Sequence, residues 1–224
     1  MTAALLFDLD GTLLDSDSAH LRAFQHVFAA YGVAVDERSY YTRIHGSDNP
    51  AIGRNFLPHL SKAAQAAVMA AKEARYREDL GAVEPIAGVD ALLDFAAARG
   101  LRCAVVTNAP RANVDAVLAA LGLAARLPLR VVGLELARAK PDPLPYRTAL
   151  ARLGAVADRS IAFEDSLSGL SAAKGAGLAV VGLTTTLAAD KLLAAGAEIA
   201  VADFADPRIP PLIEARTAAP GKKT

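Results

Sequence analysis

Several side chains able to bind cations or anions follow the short apolar runs of the sequence. Acids stand after two of the runs, a hydroxyl and amide pair follows another, and a lysine lies in a loop that precedes a helical pattern. These residues are Asp8, Asp10, Thr107, Asn108, Lys140, Glu164 and Asp165. Carboxylates held close together repel one another unless a cation lies among them. Oxygen ligands without a His or Cys cluster suit a hard ion, so the acids indicate a Mg²⁺ site completed by substrate phosphate.

The other polar residues of this set suit a phosphate group. Lys140, Thr107 and Asn108 supply donors for phosphate oxygens, and the helix predicted to start near Pro110 would direct backbone N–H groups toward an anion. A carboxylate such as Asp8 can attack phosphorus and form an aspartyl-phosphate. Asp10, two residues later and on the same face of an extended strand, could protonate the leaving oxygen and later activate water. The chemistry indicated is two-step hydrolysis of a phosphate ester.

Alternating apolar runs and helical patterns predict the elements that position these residues. Runs of strand length cover 3–7, 101–106, 129–132, 161–163, 179–183 and 199–201, and helical spacing covers 110–121, 143–153, 166–176 and 188–195. This alternation is typical of an α/β fold with a Rossmann-like parallel sheet. Ligands of such sheets bind at the carboxyl ends of the strands, which is where the polar residues stand.

One segment interrupts the alternation. Residues 16–83 contain no convincing strand, only Ala-rich helical pattern such as 61–80, and the hinges are expected at 14–18 and at 81–88. The predicted organisation is therefore a core domain of residues 1–15 and 84–205 with an inserted α-helical cap domain of residues 16–83. Residues 206–224 are predicted to form a C-terminal surface tail that frays into disorder.

Composition and charge exclude several classes of protein. Lys and Arg total 24 and so do Asp and Glu, so no global charge attracts nucleic acid or an anionic membrane. No stretch reaches the roughly 18 apolar residues of a membrane span, and the start of the sequence has no basic region typical of a secretory signal. Cys103 is the single cysteine and is expected to be a buried core residue. We expect a cytoplasmic protein, a monomer or weak homodimer, with a small phosphorylated molecule as its partner.

The motifs together resemble a known family. Asp8-Leu9-Asp10-Gly11-Thr12, Thr107-Asn108, Lys140-Pro141 and Glu164-Asp165-Ser166 occur in the order and context of the haloacid dehalogenase-like (HAD) superfamily. The resemblance extends over residues 3–205. The stretch FDLDGTLLDSDSAH followed by a helical insertion resembles the branch with an α-helical cap, which includes phosphoglycolate phosphatases, small sugar phosphatases and β-phosphoglucomutase.

The resemblance implies a role for each motif residue. Asp8 is similar to the nucleophile, and Asp10 to the general acid/base that also offers its backbone carbonyl to Mg²⁺. Gly11, Thr107 and Asn108 match substrate-binding positions, Lys140 the lysine that stabilises the phosphoryl group, and Glu164 and Asp165 the metal-binding acids. Asp10 argues against dehalogenation, because true haloacid dehalogenases lack the second acid. Lys140 is expected to be an exposed phosphate-site lysine, so that Lys140→Ala would lose more rate than stability.

Residues of the insertion are the candidates for choosing the leaving group. They are Ser16, His20, Arg43, His45, Gly46 and Asn49, of which His20, His45 and Gly46 are predicted to bind substrate. His20 stands where β-phosphoglucomutase-like members carry a histidine. The mutase has a lysine before the loop glycine and an arginine after it, to hold a second phosphate; this chain has His45 and Asn49 instead.

These observations favour a Mg²⁺-dependent phosphatase of a small sugar or organic-acid phosphate, acting through an aspartyl-phosphate. Two alternatives stay open. A phosphomutase would need cations in the cap, and its turnover would depend on a bisphosphate primer. A non-catalytic binding module on a degenerate scaffold is disfavoured, because every motif position is filled.

Overall fold

A six-stranded parallel sheet forms the centre of the protein, as seen in a computed structural model that describes residues 2–217. The strands are β1 (Ala4–Phe7), β2 (Arg102–Thr107), β3 (Leu129–Val132), β4 (Ile161–Glu164), β5 (Ala179–Leu183) and β6 (Ile199–Val201). Their order in the sheet is β3-β2-β1-β4-β5-β6, and every neighbouring pair is parallel. The predicted α/β architecture is confirmed, and the bounds of β3, β5 and β6 are those predicted.

Ten α-helices connect and flank the strands within residues 2–217. They are α1 (Asp17–Ala29), α2 (Glu37–Ser39), α3 (Asn49–Phe56), α4 (Lys62–Glu78), α5 (Val89–Ala98), α6 (Arg111–Ala120), α7 (Leu144–Leu153), α8 (Leu167–Gly175), α9 (Ala189–Ala194) and α10 (Ile209–Thr217). A π-helical turn covers Tyr40–Ile44, and 3₁₀ turns cover Leu80–Ala82, Gly133–Glu135 and Ala157–Arg159.

Strand β1 lies inside the sheet and is paired along both of its edges. All four of its residues are apolar, as this position requires. Each of these residues is fully buried. Phe7 aligns with Val105 of β2 on one side and with Phe163 of β4 on the other, and the Phe7 and Phe163 rings stack with centroids 4.9 Å apart. A strand buried on both faces reads as a continuous apolar run, as this one does. The residues that follow β1 are therefore placed between those that follow β2 and β4.

The chain divides into two compact units, residues 2–15 with 84–217 and residues 16–83, called here the core unit and the helical unit. In the core unit, α7, α8 and α9 share one buried apolar cluster with strands of the sheet, to which Leu150, Leu170 and Leu6 belong. In the helical unit, α1, α3 and α4 enclose a separate apolar cluster that includes Phe28, Phe56 and Met69. Each unit therefore has a hydrophobic core of its own.

Two helices of the core unit were not predicted, and one of them corrects the assignment of the C-terminal segment. Helix α10 lies in the stretch expected to be a fraying tail, and Ile209 and Ile213 on one of its faces are fully buried. Pro210 and Pro211 obscured this spacing in the sequence, although a helix tolerates proline in its first turn. Helix α5 was also missed. The rest of the predicted tail, residues 218–224, lies outside the described residues.

Cys103 on β2 is half-buried, where a fully buried core residue was expected, and burial raises the pKa of its thiol to about 12. Between residues 2 and 217, no helix has both the length and the apolar character required to cross a membrane.

Candidate active site

Three buried carboxylates meet at the carboxyl ends of β1 and β4. Asp8 directly follows β1, Glu164 ends β4, and Asp165 comes next. Within the described part of the chain, one ligand oxygen from each of the three lies within 4.8 Å of those of the other two. Their exposed fractions are 8% for Asp8, 0% for Glu164 and 4% for Asp165. The pairing of β1 with β4 brings them together, and the backbone N–H of Asp8 extends this pairing by donating to the carbonyl of Phe163.

Lys140 lies between two of these acids. Its Nζ is 2.6 Å from Oδ1 of Asp8 and 2.6 Å from Oε1 of Glu164. The expectation of an exposed lysine is wrong, since Lys140 is only 8% exposed. Three carboxylates and one ammonium leave the cluster with an excess of negative charge.

The pKa values of the cluster reflect burial and this charge excess. Burial, with Glu164 and Asp165 nearby, raises the pKa of Asp8 well above its ordinary value, although Lys140 opposes the rise. Burial and Glu164 raise the pKa of Asp165 to about 7. Burial acts to lower the pKa of Lys140, but attraction to Asp8 and Glu164 outweighs it, and the pKa is raised. The cluster therefore favours a charged lysine and is destabilised when every acid is ionised.

Glu164 is fixed by donors around its carboxylate. Besides Lys140, the hydroxyl of Tyr146 donates to Oε1 at 2.5 Å and the hydroxyl of Ser166 to Oε2 at 3.3 Å. Tyr146 is fully buried on α7. A Cβ at Gly169 would lie 1.8 Å from Oε2, so the first turn of α8 leaves room for this carboxylate only because residue 169 has no side chain. These contacts occupy both oxygens of the Glu164 carboxylate and fix its orientation.

Asp165 is held by two threonine hydroxyls from different loops. Thr12 donates to Oδ1 at 3.2 Å, and Thr186 donates to Oδ2 at 2.5 Å. Thr185 donates to the carbonyl of Gly11. Gly11 has φ +73°, and a Cβ there would come 2.3 Å from Oδ2 of Asp165. The loops after β1 and β5 thus enclose the Asp165 carboxylate from two sides.

Thr107, Asn108 and Asp10 occupy the same edge of the sheet. Thr107 ends β2, is 2% exposed, and its Oγ1 accepts from the backbone N–H of Ala109 at 3.0 Å. The side chain of Asn108 bonds to the backbone of Lys140. Asp10 is half-buried and lies outside the group of three clustered acids, in the turn closed by the bond from Leu13 N–H to the Leu9 carbonyl.

His20 belongs to a polar cluster inside the helical unit. Nζ of Lys72 lies 2.9 Å from Nδ1 of His20, whose ring stacks on Tyr76 at 3.9 Å between centroids. Lys72 is 3% exposed and is also 3.2 Å from Oε1 of Glu73, which accepts from Nδ2 of Asn49 at 2.9 Å. The helical unit therefore contains a buried lysine ammonium that contacts His20 and Glu73.

His45 and Gly46 follow the π-helical turn of the helical unit. Nε2 of His45 is 3.5 Å from Oδ1 of Asp17, which also accepts from the hydroxyl of Tyr40 at 2.9 Å. Gly46 has φ +74° and open space where a Cβ would stand. Of the other candidates there, Ser16 is buried just before α1, and the guanidinium of Arg43 lies 4.4 Å from the centroid of the Phe56 ring.

Sequence reasoning missed several residues that contact the cluster. The sequence patterns did not single out Tyr146, Thr186 or Gly169, which adjoin the carboxylates. They also did not single out Lys72, which contacts His20 in the helical unit. Tyr146 has the appearance of an ordinary core aromatic on an amphipathic helix. The run Thr184-Thr185-Thr186 after β5 was the available signal, because it is polar and follows a strand as the predicted site residues do.

Comparison with known proteins settles the family. The sequence model described as haloacid dehalogenase-like hydrolase matches residues 5–183. The chain belongs to this family. The resemblance inferred from the HAD motifs is thereby confirmed.

Relatives of this HAD protein cover most of its length. Protein CbbY of Rhodobacter capsulatus is 40% identical over 189 residues, which are 80% of this chain and 83% of that protein. Phosphoglycolate phosphatase of Rhodospirillum rubrum is 34% identical over 214 residues, or 92% and 89% of the two chains. A crystal structure of CbbY from Rhodobacter sphaeroides in complex with xylulose-(1,5)bisphosphate superimposes with a TM-score of 0.80 at 31% identity, covering 92% of this chain and 96% of that one. The HAD protein described here is a phosphoric monoester hydrolase.

Proposed function

We propose that this HAD protein is a Mg²⁺-dependent phosphatase that hydrolyses a small sugar phosphate or phosphoglycolate-like ester through an aspartyl-phosphate. The observation that carries the proposal is the buried contact of Lys140 with Asp8 beside the carboxylate of Asp165. A nucleophilic carboxylate next to a cation and a second acid is the arrangement that phosphoryl transfer needs, since catalysis of this reaction is mainly positioning and charge stabilisation.

In the first step, an oxygen of Asp8 attacks phosphorus and the bond from phosphorus to the leaving oxygen breaks. Asp10 donates a proton to that oxygen, so that an alcohol leaves. In the second step Asp10 accepts a proton from water, whose oxygen attacks phosphorus, and the bond to Asp8 breaks with release of inorganic phosphate. Throughout, the Lys140 ammonium and the hydroxyl of Thr107 bind phosphoryl oxygens.

The carboxylates fit a divalent cation. The donors are all oxygen, they are buried, and they exceed the nearby positive charge, which is the environment of a hard cation such as Mg²⁺. We assign the metal to Asp8 and Asp165, with the backbone carbonyl of Asp10 as the family resemblance implies. Glu164 bonds to Lys140 and Tyr146 and serves mainly to hold the lysine. When bound, Mg²⁺ supplies positive charge that offsets the charge of the phosphoryl group.

The stabilisation by Mg²⁺ is expected to increase with pH. Without metal, Asp165 has a pKa of about 7, above the value near 4 of an unfolded chain, so the folded state binds more protons between these values. The contribution of Asp165 to the stability of the metal-free protein therefore falls as pH rises from about 4 to 7. Mg²⁺ replaces the proton, and its effect on the melting temperature should be small at pH 5 and largest at pH 8. Melting curves with Mg²⁺ and with EDTA measure this; equal shifts at both pH values would contradict it.

Replacing Gly11 with Ala is expected to weaken Mg²⁺ binding by about tenfold or more, because the new Cβ would displace the carboxylate of Asp165. Gly122→Ala is the matched control. Gly122 has a similar φ of +69° but open space around the Cβ position. Both variants should lose about 1–2 kcal/mol of stability from the positive φ, and only Gly11→Ala should lose Mg²⁺ affinity. Titration of Mg²⁺ against melting temperature separates them, and equal Mg²⁺ affinities would refute the packing argument.

The substrate class is inferred from the relatives. One is named as a phosphoglycolate phosphatase, and another, from Thermotoga maritima, as a phosphorylated carbohydrates phosphatase. These names support a small phosphorylated metabolite as the substrate here. We propose that the helical unit acts as a cap that selects the leaving group, through candidates such as His20 and His45. Cytoplasmic location and a monomeric or weakly dimeric state remain predictions.

A phosphomutase is the second candidate, favoured by one observation. Such an enzyme needs a cation in the cap, and Lys72 supplies a buried one beside His20. Glu73 offsets the positive charge of Lys72, so that the pair attracts a second phosphate less strongly than an unpaired lysine would.

Phosphate release from a substrate panel tests the proposed function. The panel contains phosphoglycolate, pentose and hexose phosphates, glycerol phosphates and nucleotides, each assayed with Mg²⁺ and with EDTA. Release that requires Mg²⁺ supports the phosphatase. Isomerisation of a hexose phosphate only when a sugar bisphosphate is added would identify the mutase instead, and inactivity in every assay would reject both.

A further inference from the structure

The side chain of Asn108 is bonded to both backbone groups of Lys140. Its Nδ2 donates to the carbonyl of Lys140 at 3.1 Å, and its Oδ1 accepts from the backbone N–H of Lys140 at 3.1 Å. The two bonds together set the position and orientation of the Lys140 backbone. The loop after β2 thus controls a residue that lies 32 positions later in the chain.

Lys140 lies in a segment without helix or strand, so no regular backbone hydrogen bonding fixes its position. It lies between the 3₁₀ turn Gly133–Glu135 and helix α7, which begins at Leu144. The ammonium must nevertheless reach Asp8 and Glu164 at 2.6 Å each. A lysine side chain is long and flexible, so the place of its charge depends on how firmly the backbone is held. The contact with Asn108 provides this restraint.

Gly133 encloses the Asn108 amide from another side. A Cβ at residue 133 would lie 2.3 Å from Oδ1 of Asn108 and 3.2 Å from Cβ of Ala139. The amide therefore sits against a backbone position that has no room for a side chain. Three segments, those carrying Asn108, Gly133 and Lys140, meet at this point.

We propose that Asn108 is a positioning residue for Lys140, and that its side chain acts on turnover through the lysine instead of by binding the phosphate of the substrate. The catalytic part of this inference rests on the proposed phosphatase function. The structural part, that Asn108 holds the Lys140 backbone, is independent of any activity.

A double-mutant cycle between Asn108→Ala and Lys140→Met tests the catalytic part, with p-nitrophenyl phosphate as substrate and saturating Mg²⁺. Asn108→Ala should lower kcat by about 10-fold to 100-fold, as expected for a displaced catalytic group, with little change in KM. In the Lys140→Met background the same change should alter kcat by no more than about twofold. A full effect in that background, or an effect mainly on KM and on inhibition by inorganic phosphate, would identify Asn108 as a phosphate ligand and overturn the proposal.

Gly133→Ala provides a second test that does not require activity from a Lys140 variant. The new methyl displaces the Asn108 amide without removing it, so kcat should fall as in Asn108→Ala. The double variant Asn108→Ala/Gly133→Ala should be no worse than Asn108→Ala alone, because the severe 2.3 Å clash with Oδ1 is then gone and only the milder approach to Ala139 stays. Additive losses would show that Gly133 acts in another way and would contradict the proposal.

Arg111→Gln is the matched control, three residues after Asn108 at the start of α6. Arg111 bonds to Glu135 and to the carbonyl of Arg130, at the surface. Its replacement should leave kcat within about twofold of the wild type. A loss as large as that of Asn108→Ala would mean that any disturbance of the segment between β2 and α6 lowers turnover, which would reject a specific role for Asn108.

Amide hydrogen exchange tests the structural part in metal-free protein. The backbone N–H of Lys140 should exchange about tenfold faster or more in Asn108→Ala than in the wild type, and at the wild-type rate in Arg111→Gln. Unchanged protection of this amide in Asn108→Ala would overturn the proposal even if kcat falls. If the wild type releases no phosphate from any substrate, the proposed function fails while this measurement still decides whether Asn108 holds Lys140.

Discussion

Asp8→Asn is expected to lower phosphatase turnover by about 10⁴-fold or more, because an amide cannot form the aspartyl-phosphate. Stability should behave differently. Asp8 is buried beside Glu164 and Asp165, which help to raise its pKa well above the ordinary value. An asparagine removes one of these charges, and its Oδ1 can still accept a hydrogen bond from Lys140. Without metal the variant should therefore melt at the same temperature as the wild type or higher.

Phosphate release and melting temperature in EDTA measure the two effects. Asp158→Asn is the matched control, since it makes the same substitution at an exposed residue in the 3₁₀ turn Ala157–Arg159. It should change turnover by no more than about twofold. An active Asp8→Asn enzyme would reject the covalent mechanism, and a markedly less stable one would show that the Asp8 carboxylate contributes to folding.

Lys140→Ala is expected to reduce both rate and stability, contrary to the expectation drawn from sequence. The ammonium is buried between Asp8 and Glu164. Removing one partner of a buried ion pair destabilises a protein by about 3–5 kcal/mol, because the other charges remain without compensation. Turnover should fall by about 10²–10³-fold, the usual effect of losing a charge-stabilising donor.

Urea unfolding of Lys140→Ala in EDTA and in Mg²⁺ tests the electrostatic explanation. Mg²⁺ should restore part of the lost stability, because it supplies positive charge to the same carboxylates. Lys191→Ala on α9 replaces an exposed lysine and should leave the unfolding midpoint nearly unchanged. If Lys140→Ala proves as stable as this control in EDTA, the ion pairs of Lys140 contribute nothing to folding.

The sheet and the residues at its carboxyl edge could be predicted from local patterns. Apolar runs bounded by glycine and polar residues gave β3, β5 and β6 with correct ends. Asp8, Glu164 and Lys140 were singled out because each motif is local in sequence and parallel strands bring their ends to one edge. The structure brings these three side chains into contact.

The remaining contacts depend on tertiary packing, which a single sequence does not display. Nothing local distinguishes Tyr146, whose hydroxyl reaches Glu164, from other aromatic residues of a buried helix face. Gly169 is required by the position of a side chain five residues earlier, and only coordinates reveal the lack of space. Lys140 was expected to be exposed because lysine usually is; its burial follows from acids on two other segments. Helix α10 was missed because its prolines suggested a loop.

The central place of β1 in the sheet has a consequence for synthesis on the ribosome. β1 is made before the other five strands, yet its partners β2 and β4 emerge only after the whole helical unit has been translated. The helical unit is continuous in sequence and encloses its own apolar cluster, so it can fold while the nascent chain grows. The apolar segment Ala4–Phe7 must wait unpaired during that time. The Asp8 carboxylate thus meets Lys140 only late in translation, and a truncated chain that ends before β4 lacks Glu164 and Asp165.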